Sequence, residues 1–374
     1  MNWRWIDNDV SLHEVVNLAR QQPAVAMDTE FVRERTFYPH VALFQLCVGE
    51  VSFLIDPLKI TDPTPLRDLF EDTSTIKVFH SCAEDLEVLN NWVGKIPSPV
   101  FDTQIAASLL GMGFMFGYSN LVAEMCAVEL NKTETRSNWL QRPLTDNQVK
   151  YAVQDVYYLD KLWQKLLKKS ELEGKKDWIL FDGEMLIEDI KNAHQQEHLK
   201  ISGGRNLSSL KLNGLHSLSR WREDKAKKKD LPRRWIIDDK TCLRLIEAFP
   251  CSSDDLMKLE GIPDKVKTKY GKEIIDIFKE CPINTDTELP HLISTPLNAD
   301  SRKQVKSLKN LIREIAQELG TVPEVLIKSR DYVLLLDIFN KSNSELPGYW
   351  SGWREQLVIQ PLKSHLSNLL KKEY

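Results

Sequence analysis

Two acidic residues two positions apart, Asp28 and Glu30, close a short apolar run, Ala24-Val25-Ala26-Met27. A run of this kind, preceded by Pro23, predicts a buried strand. Strand side chains alternate between faces, so the two carboxylates point the same way, about 7 Å apart along the chain. Against an apolar strand they repel each other and are costly to desolvate. A cation between them is the ordinary remedy, and oxygen-only ligands suit hard ions such as Mg²⁺ or Mn²⁺. The plainer alternative is a strand end that reaches solvent. Asp85 stands where Val78-Phe79-His80 runs into a helix, a place that tolerates negative charge. Tyr151 and Asp155 are four apart on a predicted helix and so project from one face. Their plain readings are a helix-start charge for Asp85, and a boundary Tyr with a solvated Asp for the pair. His80 lacks metal-type spacing and reads as a satisfied strand-end residue.

The elements that must position these groups follow from hydrophobic period. Trp3 to Ile6 predicts a short edge strand, and Leu12, Val15, Val16 and Ala19 share one face of a helix from Ser11 to Gln21. Residues 41–48 and 51–55 read as two strands of a hairpin turning at Gly49-Glu50. A helix over 65–70 leads to a strand over 76–80, and Val100-Phe101-Asp102-Thr103 begins another strand-to-helix transition. A long helix follows Leu144, capped by Thr145 or Asp146. Strands in succession, then strands alternating with helices, predict an α/β mixed sheet with helices packed on it.

Taken in order, Asp28-x-Glu30, Asp85 and Tyr151-x-x-x-Asp155 resemble the three motifs of the DEDD superfamily of 3′–5′ exonucleases, in its Tyr-bearing subclass. Met27-Asp28-Thr29-Glu30-Phe31, Phe79-His80 ahead of Asp85, and Ser137-Asn138-Trp139-Leu140-Gln141-Arg142-Pro143-Leu144 look like the ribonuclease D family. The resemblance implies a ribonuclease H-like fold over residues 1–195, with Asp28, Glu30, Asp85, Tyr151 and Asp155 as catalytic residues. It also implies that the four acids are ligands to two divalent ions, Mg²⁺ or Mn²⁺. Such a pair, about 4 Å apart, supplies a hydroxide, a stabilised leaving oxyanion and charge neutralisation. A phenol whose ordinary pKa is about 10 is a poor base at neutral pH, so Tyr151 is assigned to orienting the attacking water. Phe31 is expected either against the terminal base or sugar or in the core. Arg33, Arg35 and Lys132 are candidates for holding phosphates.

Beyond Lys191 the composition turns polar, and Ile201-Ser202-Gly203-Gly204 reads as a linker. Residues 200–272 carry 18 Lys and Arg against 10 Asp and Glu, a local excess of +8, although the whole chain has net charge −4. The remainder therefore stands at −12, and an acidic part beside a basic part suits clustered carboxylates and bound phosphates respectively. Helical period broken by Pro and Gly predicts a small all-α bundle over 205–283. It resembles an HRDC domain, which implies nucleic-acid binding, with Lys227, Lys228, Lys229, Arg233 and Arg234 as the local candidates. After a second linker near 281–295, residues 298–374 resemble a divergent HRDC-like helical domain without the lysine cluster. No Gly-x-x-x-x-Gly-Lys-Ser/Thr occurs, which excludes the helicases that share the HRDC module.

The 374 residues are 42% apolar and 28% charged, ordinary for a globular chain of two or three domains. No apolar run is long enough to cross a bilayer, and the N-terminus does not lead into a signal-peptide core. Six scattered cysteines without a Cys-x-x-Cys pair fit free thiols in a reducing cytoplasm. The expectation is a cytoplasmic, monomeric 3′–5′ exoribonuclease acting on RNA with a free 3′ end, such as tRNA precursors, and releasing nucleoside 5′-monophosphates. A DNA exonuclease on the same fold and an inert RNA-binding protein are the competing readings.

Overall fold

The computed structural model of the chain describes residues 1–130, 134, 137–192, 201, 207–281, 297–341 and 346–372. Lys132 and most of both expected linkers (202–204 and 282–295) lie outside the described residues. The chain divides into two compact units. One comprises Met1–Val32, Pro39–Ile190 and Asn298–Tyr374, the other Arg33–Tyr38 and Lys191–Leu297.

The first unit is built on a mixed six-stranded sheet: β1 (Asn2–Ile6), β2 (Ala24–Val32), β3 (His40–Val48), β4 (Val51–Ile55), β5 (Ile76–Phe79) and β6 (Val100–Asp102). Their order is β1-β4-β3-β2-β5-β6. β2, β3 and β4 are joined antiparallel, while β1 runs parallel to β4, β5 to β2 and β6 to β5. Gly49 takes φ +63° at the β3–β4 turn, where a side chain would be strained. β2 thus lies between β3 and β5: it pairs with β5 over Ala24–Ala26, while its acidic end runs on past β5 and pairs with β3 alone.

Helices cover both faces. α1 (Asp9–Ala19), α2 (Pro65–Glu71) and α3 (Ala83–Val93) bury Leu12, Val16, Leu69, Phe70, Leu86 and Leu89 against Val25, Met27, Phe44 and Leu46 of the strands. α1 begins two residues before its expected start because the Asn8 side chain accepts from the Ser11 N–H at 2.9 Å. α4 (Thr103–Leu109), α5 (Tyr118–Cys126), α6 (Asp146–Leu172) and α7 (Lys176–Asn192) follow. The second layer packs Ala26, Cys47, Val78 and Phe101 against Ala106, Leu121, Val156, Leu159 and Ile179. Strand alternation therefore sends Val25 and Met27 into one layer and Ala26, Asp28 and Glu30 into the layer beneath α6.

The C-terminal helices α13 (Ala299–Glu318), α14 (Pro323–Leu326), α15 (Asp331–Lys341) and α16 (Gln360–Lys372) enclose Leu308, Ile312, Leu335, Trp350 and Leu362. They group with the sheet rather than standing alone. Arg354 grips buried Asp182 of α7 through both carboxylate oxygens, at 2.5 and 2.7 Å, and Trp353 stacks on Trp178 at 4.5 Å. The Lys175 ammonium joins the two parts by donating to the carbonyls of Leu109 (2.9 Å) and Gly320 (3.0 Å).

The second unit is all-α: α8 (Ser209–Lys229), α9 (Arg233–Ile236), α10 (Asp239–Ala248), α11 (Ser253–Lys258) and α12 (Asp264–Glu280). Leu215, Leu218, Leu245, Ile246, Ile274 and Phe278 form its core. Phe37 joins that core, and Asp230 at the end of α8 accepts from the backbone N–H groups of Phe37 and Tyr38, both at 3.0 Å.

Candidate active site

Asp28 and Glu30 sit at the end of β2 opposite Gln45 and Leu43 of β3, and a β-bulge follows Glu30. Bulges of this kind re-aim a strand beside a functional site. Asp85 occupies the first turn of α3, buried to 9% exposure, and accepts from the Thr29 hydroxyl at 2.5 Å. α6 crosses the face that carries Asp28 and Glu30, and brings Tyr151 and Asp155 with it. A capping box fixes where that helix starts: the Thr145 hydroxyl accepts from the Gln148 N–H at 3.2 Å, and Gln148 reaches back to Thr145 at 3.0 Å.

The electrostatics show that these acids share one neighbourhood. Burial drives the Asp28 carboxyl well above the usual carboxylate range, and the charges of Asp85, Asp155 and Glu30 add to the shift. Glu30 is pushed to about 9 by burial, then by Asp155 and Asp85. Asp155 is raised to about 8 by burial. Asp85 rises only to about 7, because burial is opposed by the Thr29 hydroxyl and nearby backbone amides. No lysine or arginine compensates any of the four among the described residues. Among the described residues no three His, Cys, Asp or Glu side chains stand close enough together to hold a metal ion as placed. Four like charges in one low-dielectric place repel, and a divalent cation is what draws such oxygens to a common distance. An all-oxygen donor set without basic partners fits that role chemically.

Several residues beyond the four acids and Tyr151 complete the site. Tyr118 donates its hydroxyl to the Asp155 carbonyl and lies edge-on to His80 at 5.4 Å. The His80 Nδ1 bonds the Thr103 hydroxyl at 2.9 Å, but its buried Nε2 has no hydrogen-bond partner among the described residues, so the residue is satisfied at one nitrogen and not at both. Trp139 is buried against Tyr151, ring centres 5.9 Å apart. Arg142 holds that loop in place. Its guanidinium bonds both Asp56 oxygens, at 2.8 and 2.6 Å, and the carbonyls of Ala42 (2.7 Å) and Trp139 (2.9 Å). Gln45 is the other addition, a fully buried amide with neither polar atom bonded. Gln45 carried a sequence signal, a polar residue in the apolar run 41–48, and His80, Trp139 and Arg142 stood within the stretches that resemble ribonuclease D. Thr29, Tyr118 and Asp56 meet their partners only through the fold.

The candidate nucleic-acid residues part ways. Phe31 is half-buried against the sheet core. Arg33 donates to the Phe37 carbonyl at 3.3 and 3.2 Å, while Arg35 is exposed. Arg233 bonds buried Glu223 through two nitrogens, at 2.5 and 2.8 Å, and lies over the Phe37 ring at 4.6 Å. Lys227 stands 3.7 Å from the same Glu223 and 5.8 Å over the same ring, so the charge of both is already matched within the unit. Lys229 donates to the Tyr270 hydroxyl at 3.1 Å. Lys228 and Arg234 are exposed.

A mixed sheet with acids gathered at the end of its central strand and on a crossing helix defines a 3′–5′ exonuclease. The chain matches the family model described as 3′-5′ exonuclease over residues 3–171, and the HRDC domain model over 212–278. It is 35% identical to ribonuclease D of Pseudomonas paraeruginosa over 98% of both chains, and 33% identical to ribonuclease D of Escherichia coli over 98% and 99%. The crystal structure of E. coli RNase D, described as an exoribonuclease involved in structured RNA processing, superposes with a TM-score of 0.86 at 32% identity, covering 98% of this chain and 99% of that one. The chain belongs to the ribonuclease D family. It is a 3′–5′ exoribonuclease, and the family implies dependence on divalent metal. No helix of the described residues is long and apolar enough to cross a membrane.

Proposed function

We propose that Asp28, Glu30, Asp85 and Asp155 hold two divalent cations, Mg²⁺ or Mn²⁺, at which RNA is trimmed from its 3′ end to nucleoside 5′-monophosphates. The observation that carries this is that Asp28 and Glu30 are buried beside the charges of Asp85 and Asp155, themselves buried, with no basic partner among the described residues. Bound there, the ions supply the acidity that makes hydroxide from water and neutralise charge on the scissile phosphate. The residues do the rest. Thr29 fixes the rotamer of Asp85, and the packing of Trp139 on Tyr151 holds the phenol on the face it shares with Asp155, where it orients the attacking water. The low-dielectric surroundings strengthen every such contact.

The substrates we propose are tRNA precursors and other small RNAs with a free 3′ end, in keeping with the RNA-processing role of the E. coli relative. The protein is read as a cytoplasmic monomer divided at 1–195, 205–283 and 298–374; free thiols at all six cysteines accord with a reducing compartment. RNA is taken up by the basic helical unit. There a cavity of about 150 Å³ is lined by Arg234, Trp235, Lys265, Lys269 and Tyr270, with Trp235 half exposed for stacking on a base.

Matched RNA and DNA oligonucleotides digested side by side with Mg²⁺ or Mn²⁺ test the reading. Shortening of RNA from the 3′ end is expected, and Asp28→Asn should abolish it while RNA binding persists. Preference for DNA would overturn the substrate; wild-type protein that binds RNA but shortens no end would return the inert binding protein.

A further inference from the structure

We infer that Gln45 is a positioning residue for the acidic cluster: its side-chain amide is the hydrogen-bond donor that fixes Asp28 when the cluster carries divalent cations. The inference rests on the reading of the four carboxylates as a cation site.

The first observation is what β3 is made of. From Val41 to Val48 every residue but one is apolar, and the exception stands in the middle, flanked by Leu43 and Phe44 on one side and Leu46 and Cys47 on the other. Gln45 is completely buried, and neither its Oε1 nor its Nε2 has a hydrogen-bond partner. A buried amide with both ends unpaired is costly, and an apolar residue of similar volume would fill the place without that cost. Native cores seldom keep such a group without a reason.

The reason lies across the strand. Gln45 is paired in register with Asp28, and directly opposed residues of an antiparallel pair project from the same face with Cβ atoms about 4.5–5.5 Å apart. On that face Leu43 packs with Ala152 and Val153 of α6, and Cys47 with Val156, so Gln45 lies between them under the turn that carries Asp155. Asp85 already has a side-chain donor in Thr29. Among the described residues Asp28 has the backbone amide of Thr29 and no side-chain donor. A carboxylate that gives one oxygen to a cation is typically oriented by a hydrogen bond to the other, and such outer partners tune affinity. A neutral amide suits this position, because it donates without adding a positive charge that would compete with the cation.

The test uses the full chain and Mn²⁺ alone. Gln45→Met preserves side-chain length and removes both polar atoms. We expect it to melt in EDTA at or above the wild-type temperature, since an unpaired amide has gone. Calorimetric Mn²⁺ affinity should nevertheless fall by roughly 10–100-fold, and kcat should fall with KM little changed. A structural role alone would lower the melting temperature and leave the Mn²⁺ affinity of the folded protein intact, and that result overturns the inference. A second measurement needs no variant: in wild-type protein labelled at glutamine with ¹⁵N, the Gln45 NH₂ signals should move on Mg²⁺ titration, and their standing still overturns it equally. If wild-type protein takes up no Mn²⁺ at all, the cation site falls and this inference with it. If the wild type and Gln45→Met bind Mn²⁺ alike, Gln45 alone is excluded.

Discussion

At the residue scale the site is a concentration of buried carboxyl groups that no basic side chain among the described residues neutralises. Burial pushes Glu30, Asp155 and Asp85 up to about 9, 8 and 7 respectively in the folded chain, and raises Asp28 well above the usual carboxylate range. In an unfolded chain carboxyls titrate near their ordinary value of about 4. The folded protein therefore binds more protons than the unfolded one across that interval, and its stability falls as pH rises. In metal-free protein in EDTA the contribution of these acids is fully present below the ordinary carboxylate value and is lost progressively up to about pH 9, so the melting temperature should fall from pH 5 to 9. Saturating Mg²⁺ should flatten the slope. Melting temperatures in EDTA that stay level from pH 5 to 9 would remove the basis for a mutually raised cluster. Tyr151 gives a second expectation: Tyr151→Phe keeps the ring packing on Trp139 but loses the hydroxyl. A drop in kcat of about 100-fold, the low end for a positioned proton-handling group, should come with KM nearly unchanged; matched losses in both would contradict water orientation. The acids and Tyr151 were singled out in the sequence through the resemblance to the DEDD exonucleases, since spacing alone left a solvent-reaching strand end and a solvated helix Asp open. Thr29 and Tyr118 were not, since a hydroxyl's partner 56 residues away leaves no periodic trace.

At the scale of elements, the placing of α6 decides whether Tyr151 and Asp155 face β2 at all. Two devices set it. The Thr145–Gln148 capping box fixes the first turn, and this was readable from residue type, with Thr145 rather than Asp146 as the cap. The Arg142–Asp56 pair fixes the loop before it, and this was not readable, because the partners are 86 residues apart and meet only when β4 is in place. Asp56 is almost wholly buried, so removing the guanidinium leaves a carboxylate without its partner. Arg142→Met should therefore cost about 3 kcal/mol of stability, measured as a lower urea midpoint. It should also cut kcat, because Trp139 loses its anchor and Tyr151 its support. Full stability in that variant would show the ion pair to be dispensable. The hairpin at Gly49 needed no such long-range help, whereas the turn before α3 is held by Asp102, whose carboxylate accepts from the backbone N–H groups of Ser81 (3.1 Å) and Cys82 (2.9 Å).

At the scale of the molecule, the charge asymmetry visible in the sequence became two compact units, and the basic section is the helical one. The grouping of residues 298–374 with the sheet was hidden, since its closest tie joins Asp182 to Arg354 across 172 residues. The lysine cluster was legible as a run but not as a set of roles, because a run does not reveal which charges are already matched. Glu223, nearly buried, takes up Arg233 and Lys227, while Lys228 and Arg234 are exposed and have no carboxylate partner among the described residues. Phosphate contacts release counterions, so each one adds about 1 to the slope of log affinity against log salt. Lys228→Ala and Arg234→Ala should each weaken binding of a long single-stranded RNA and lower that slope by about 1. Lys227→Ala should change neither, because its charge is met within the unit. Cleavage of a dinucleotide, too short to reach past the acidic site, should be untouched in all three. Equal loss of slope in Lys227→Ala and Lys228→Ala would mean that the pairing with Glu223 opens on RNA, and the exposed pair would lose its special place in binding.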